Sequence, residues 1–273
     1  MNTRTALSLQ NGLGTLQDKV NDALRLAKQL GASQAEANAS FGTGFSVNVR
    51  MREVETLRHQ RDQGLSVTVW LGHRKGSAST SDLRSEAIEE SVRKACALAR
   101  YGAEDPASGL ADADRLAKSI PDLSLHHPWA IDPAAAIDLA TICEAAALDL
   151  DPRVTNSEGA SVSTSESLRV YGNSHGFLGS YPESDHSISC SVVATQDGAM
   201  ETDYEYAVAR DAADLPSAAE IGREAGRRTV ARLGGTKLET RTAPVLFPAR
   251  IARGLIGHLL GAISGSALYR KSS

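Results

Sequence analysis

The sequence predicts an α+β fold: two helix-flanked antiparallel sheet units followed by the start of a third, C-terminal domain. Three observations predict it. Apolar residues recur at helical spacing in a few blocks, and long stretches between those blocks alternate polar and apolar with a period of two. No strand–helix–strand rhythm of the kind that builds parallel sheets is present. At 273 residues the chain has room for about two domains, each with its own core.

Taken in order, Leu16, Val20, Leu24 and Ala27 form a first helical stripe, with Thr15 and Asp18 as a capping pair and Gly31 as its stop. From Gln34 to Thr80 the period becomes two. Ala35, Ala37 and Ala39, then Phe45, Val47, Val49 and Met51, then Leu65, Val67, Val69 and Leu71 alternate. Turns are expected at Gly42 to Gly44, Gln63-Gly64 and Gly72 to Gly76, which divides the stretch into about four strands. Ile88, Val92, Ala95, Cys96 and Ala99 return to helical spacing and close a first domain over residues 1–103. Residues 104–130 are rich in Pro, Asp, Gly and Ser and read as a linker.

Asp132-Pro133 opens a second helix stripe, Ile137 to Leu148, which ends at Asp151-Pro152. Strand patterns follow over Val154 to Asn156, Ser161 to Tyr171, Gly176 to Tyr181, Ser187 to Thr195 and Asp203 to Arg210, with a turn at Glu158-Gly159. Ser217 to Leu233 is a helix ending at Gly234-Gly235. This gives a central domain over 131–238. Residues 239–273 begin a further domain: Pro244 to Phe247 is a short strand, and Ala249 to Ser273 is an apolar packing helix. Gly257, Gly261 and Gly265 recur there every four residues, so a second backbone could approach that face closely.

Net charge is −4 and the isoelectric point is about 6.0, so no basic surface is available to dominate polyanion binding. Residues 1–14 lack the apolar run of a signal peptide, and Leu255 to Leu268 is too short to span a bilayer, which points to the cytoplasm. Cys96, Cys143 and Cys190 are odd in number and widely spaced, and read as structural thiols. No glycine-rich nucleotide loop and no nucleophile-elbow pattern occurs in context.

Candidate chemistry is sparse. His126-His127 invites a metal reading, but neighbouring carboxylates are scarce and a solvated loop pair is expected. His175 belongs to the turn Gly172 to Gly176. His186 follows Asp185 in a serine-rich strand, a pairing too common there to define a triad. Met200, Tyr204 and Tyr206 read as cross-strand packing. In the last helix His258 stands alone, and no acidic residue follows Glu239, so the segment offers neither a ligand pair nor a general base. No catalytic, cofactor-binding or metal residue is assigned.

Asn156-Ser157-Glu158-Gly159, Val170 to Gly176, Ala243-Pro244-Val245, Gly254 to Ala262 and Tyr269-Arg270-Lys271-Ser272 closely resemble the PmbA/TldE family of metallopeptidase subunits, partners of TldD. Members of that family are much longer than this chain. The resemblance implies N-terminal and central domains and the opening of a C-terminal one. It also implies a cytoplasmic heteromeric TldD–TldE complex that cuts unfolded peptides, matures peptide antibiotics and degrades an antitoxin. The family is further named as a modulator of DNA gyrase. Zinc is expected in the TldD-like partner, held in part by an HExxxH helix. Aligned through Gly265 and Arg270-Lys271, the first His, the Glu and the second His of that motif fall on Ile256, Gly257 and Gly261, none of which can perform those roles. Two functions from different classes follow: the non-metallated subunit of a peptidase, or a regulatory binding protein acting on gyrase or a toxin–antitoxin system without proteolysis. A third, an autonomous hydrolase built on His126 and His127, has the least support.

Overall fold

In a computed structural model, which describes residues 9–273, the chain begins with helix α1 (Leu9–Gln29) and ends that helix at Gly31, where φ is +90°. The part of the leader reading that concerns residues 1–8 lies outside the described residues. Leu16, Val20, Ala23 and Ala27 form its buried stripe. The helix starts earlier than Thr15, so Thr15 and Asp18 lie within it rather than at its cap.

Three long strands follow, β1 (Gln34–Arg50), β2 (Glu53–Leu71) and β3 (Arg74–Thr80), where the sequence suggests about four. Gly42 to Gly44 and Gln63-Gly64 sit inside β1 and β2 instead of at turns. The reason is visible at Gly44: a Cβ there would lie 2.4 Å from the carbonyl oxygen of Thr164 on a neighbouring strand, so the glycine permits close backbone approach. The true hairpin turns are Met51-Arg52, both at positive φ, and Gly72.

Helix α2 (Ser85–Tyr101) covers these strands through Ile88, Val92, Ala95, Cys96 and Ala99. After the irregular linker come α3 (Pro133–Leu148), capped by the Asp132 side chain, and then β4 (Val154–Asn173), β5 (Leu178–Gln196) and β6 (Ala199–Ala209). Glu158-Gly159 is a bulge in β4, not a turn, and β5 joins two segments that the sequence separates. Pro182 is tolerated inside β5 because β6 pairs with it only from His186 onward, leaving the proline on an open edge. Helix α4 (Ala218–Ala231) starts with a capping box between Ser217 and Glu220.

The strands form a single six-stranded antiparallel sheet in the order β3-β2-β1-β4-β5-β6. The fold is α+β. Both expected strand sets are present, each with its own helices and core, and the β1–β4 pairing from Glu36↔Asn173 to Val49↔Ala160 fuses them into one sheet. All four helices lie on the same face, because the odd-numbered β1 side chains enter both cores. Ala35 to Phe41 pack with α1 and α2, and Phe45 to Val49 with α3 and α4. Where α3 crosses α4, Gly222 comes so near that a Cβ would lie 1.9 Å from the Cys143 carbonyl oxygen. The opposite face of the sheet carries no helix of this unit.

The chain divides at Gly234, and Gly235–Ser273 forms a second compact unit. Within it, Pro244 to Phe247 is not a strand, and the expected single helix is two: α5 (Ala249–Ala262) and α6 (Gly265–Arg270). Ser264 breaks the run by capping the second piece. The expected burial is also absent within this unit, since α5 buries none of its residues and Leu255 is 49% exposed. Among the described residues no helix is long and apolar enough to cross a membrane.

Candidate functional site

Across β1 and β4 the middle of the helix-free face is built from serines and glycines in register, flanked by charged and polar residues of β2 and β5. One row across the strands reads Arg58, Ser46, Ser163, Ser187; the next reads Gln60, Gly44, Ser165, Asp185; the next Asp62, Gly42, Ser167, Glu183. Period-two alternation puts them there: the partners of each residue on the buried face are the aliphatic core. An open groove of about 490 Å³ runs over these rows, between Gln60 and Asp62 on one side and Asp185 and Arg210 on the other.

The groove is organised by Glu183. Its carboxylate accepts from Ser167 Oγ at 2.9 Å and Arg169 Nε at 2.9 Å, and Arg210 Nη1 lies 3.2 Å away. Partial burial pushes the carboxyl pKa up. The hydrogen bonds from Ser167 and Arg169 and the charges of both guanidiniums outweigh that and leave it below its ordinary value. A floor of hydroxyls and glycines with a fixed Arg–Glu–Arg cluster can hold the polar backbone of an extended chain; the carboxylate that meets the Ser167 hydroxyl is engaged by both guanidiniums. Local spacing singles out none of Ser167, Arg169, Glu183 and Arg210. The signal that would have found them is the unbroken run of Ser and Gly in one phase of β1, β4 and β5.

The histidines lie mainly on the other face, where they fasten the linker between the two cores. The expected solvated pair is in fact tethered: His126 Nε2 is 2.8 Å from Glu166 Oε2, and His127 Nδ1 is 3.5 Å from Asp211 Oδ2. His186 is fully buried. Its Nε2 donates to the His127 carbonyl at 2.8 Å, which leaves Nδ1 to accept from the Thr164 hydroxyl at 2.9 Å. Asp185 cannot serve His186, because consecutive strand residues point to opposite faces. His175 occupies the turn after β4, as expected, and its Nδ1 meets the Ala111 carbonyl at 3.1 Å. Tyr204 and Tyr206 stack along their own strand at 6.1 Å between ring centroids, opposite Ser191 and Ser189, and Met200 is 71% exposed. All three cysteines are buried and free. Contact with Cys143, and then burial, pushes the Cys190 thiol far above its usual range, which suits an unreactive core thiol.

In the C-terminal unit, α5 carries Ile256, Gly257, His258 and Gly261. One imidazole with no carboxylate anywhere between Arg241 and Ser273 is not a donor set that fits zinc. Among the described residues no group of three or more His, Cys, Asp or Glu side chains is arranged to hold a metal ion.

Models of the PmbA/TldA metallopeptidase domain 1 and of the PmbA/TldA metallopeptidase central domain match residues 35–99 and 126–233. The chain belongs to the PmbA/TldD metallopeptidase family. Within that family it is 45% identical over 259 residues to the metalloprotease PmbA of Escherichia coli O157:H7, covering 94% of this chain and 57% of that protein. It is 44% identical over 258 residues to a PmbA homologue of Haemophilus influenzae, again over 57% of the relative. The chain therefore spans little more than half the length of these PmbA relatives. A crystal structure from Bacteroides thetaiotaomicron, described as a candidate modulator of DNA gyrase, superposes with a TM-score of 0.88 at 25% identity, over 98% of this chain and 60% of that one. TldE from Thermococcus kodakarensis shares the fold, with a TM-score of 0.64 at 15% identity over 78% of this chain and 47% of its own.

Proposed function

We propose that this chain belongs to the subunit of a TldD–TldE-type peptidase complex that does not carry the metal, where it shapes the chamber and presents extended peptide to a zinc-bearing, TldD-like partner. The observation that carries this reading is α5: where the family's zinc helix would need imidazoles and a carboxylate, Ile256, Gly257 and Gly261 stand. The helix-free sheet face supports the peptide role. Its Ser hydroxyls and Gly positions read no particular side chain, so they suit unfolded segments of varied sequence, and free strand edges could pair with such a segment by strand addition.

The test is co-purification of the complete natural protein with its TldD-like partner, followed by peptide cleavage and zinc analysis of each subunit alone and of the pair. Cleavage and zinc in the pair, with cleavage lost and zinc retained when the partner's catalytic Glu is replaced, agree with the proposal. Zinc-dependent cleavage by this subunit alone rejects it. An effect on gyrase or on an antitoxin that survives the Glu replacement would favour the regulatory reading suggested by the Bacteroides description.

A further inference from the structure

Strand β2 is only half covered on its outer side. β3 pairs with it from Leu65↔Thr80 to Leu71↔Arg74, so over 53–64 the edge facing away from β1 meets no strand among the described residues. An edge of this length is a template for another strand unless something blocks it. Its regular part is bounded at both ends. On one side the β1 register jumps from Asn48↔Thr56 to Val49↔Val54, a bulge at Glu55; on the other, β3 takes over at Leu65. The usable run is Thr56 to Gly64, whose midpoint is Gln60.

The side chains are symmetric about the same point. Arg58, Gln60 and Asp62 are exposed on the helix-free face, opposite Ser46, Gly44 and Gly42. Neither Arg58 nor Asp62 makes an ion pair with a described residue. We propose that this edge binds a second copy of the same chain in antiparallel register about a two-fold axis at Gln60. Arg58 of each copy then stands opposite Asp62 of the other, the two Gln60 amides meet on the axis, and Thr56 pairs with Gly64 just before β3 begins. The charge pattern and the length of the open edge select this register independently. The pairing also brings Arg58 of the second copy to the Asp62 rim of the groove, so each copy adds a cation to the other's site. This inference does not rest on the peptidase reading.

Sedimentation equilibrium of the chain tests it, with circular dichroism to check folding, since both side chains are exposed and their replacement leaves the core untouched. The wild type is expected to dimerise reversibly and more weakly as salt rises. Arg58→Asp alone and Asp62→Arg alone each place like charges opposite one another twice and raise the dimer Kd about tenfold or more. The double variant Arg58→Asp/Asp62→Arg returns to the wild-type value within about threefold, and an equimolar mixture of the two single variants forms a mixed dimer. A wild type that stays monomeric to about 200 µM, or single variants that dimerise as the wild type does, overturns the proposal. So does loss of association in the single variants without rescue in the double variant and the mixture, because Arg58 and Asp62 then do not face each other across the axis.

Discussion

Glu144 shows how much one side chain can decide. It is fully buried in α3, and its two carboxylate oxygens accept from the main-chain N–H groups of Met51 and Arg52 at 2.8 and 2.7 Å. Those amides belong to a turn whose two residues both sit at positive φ. The carboxylate thus fixes a turn whose conformation its own residues disfavour. Glu144→Ala is expected to destabilise the protein by about 2–4 kcal/mol in urea unfolding, because two amide donors lose a charged acceptor inside the fold. Glu144→Gln keeps one acceptor and costs less. Glycines make a matched pair of predictions. Gly222→Ala forces a methyl against the Cys143 carbonyl and should cost about 2 kcal/mol or more. Gly14→Ala, in α1 with open space around it, should stabilise by up to about 1 kcal/mol, and thermal unfolding of both variants distinguishes a packing glycine from a merely tolerated one.

Among the elements, the hairpin between β1 and β2 invites a direct test. Asn-Gly suits two successive positive-φ positions far better than Met51-Arg52 does, so Met51→Asn/Arg52→Gly should raise stability by about 1 kcal/mol despite loss of the exposed Arg52–Asp149 pair. Helix α4 gives a pH prediction. The hydrogen bond from Arg227 leads in holding the Glu224 carboxyl down to about 2; burial opposes it, and Arg228 adds to it. A carboxyl depressed in the folded state contributes stability above its unfolded pKa of about 4.3 and loses that contribution as pH falls toward 2. Urea unfolding of wild type and Glu224→Gln should therefore show a gap at pH ~7 that narrows steadily below pH ~4. Element types were readable from the sequence because the periods of 3.6 and two are set by local geometry. Element ends were less readable. Gly42 to Gly44 looked like a turn, yet Ala39, Phe41, Phe45 and Val47 keep one odd-numbered phase across it, and a turn would have been free to break that phase. The same bookkeeping across Glu158-Gly159 fails by one residue, which is what a bulge does.

For the whole molecule, the decisive pairing is β1 with β4, which joins strands over a hundred residues apart and turns two cores into one sheeted layer. A chain ending at Gly234 is expected to unfold in one cooperative transition at nearly the wild-type midpoint, since both cores lie before that residue; calorimetry of the truncated and complete chains checks this. By itself the sequence determined the α+β class, every helix that enters the two cores, the buried phase of β1 and of the Leu65 to Val69 part of β2, and the absence of a ligand pair in the last helix. These depend on composition and short-range spacing. Tertiary structure alone decided that the strands make one sheet, that the His126-His127 loop is tied down, and that Glu183, Arg169 and Arg210 meet over a floor of serine and glycine. Those contacts join residues from separate strands and a distant loop. Their partners are chosen by strand order and register, which no local pattern in a single chain encodes.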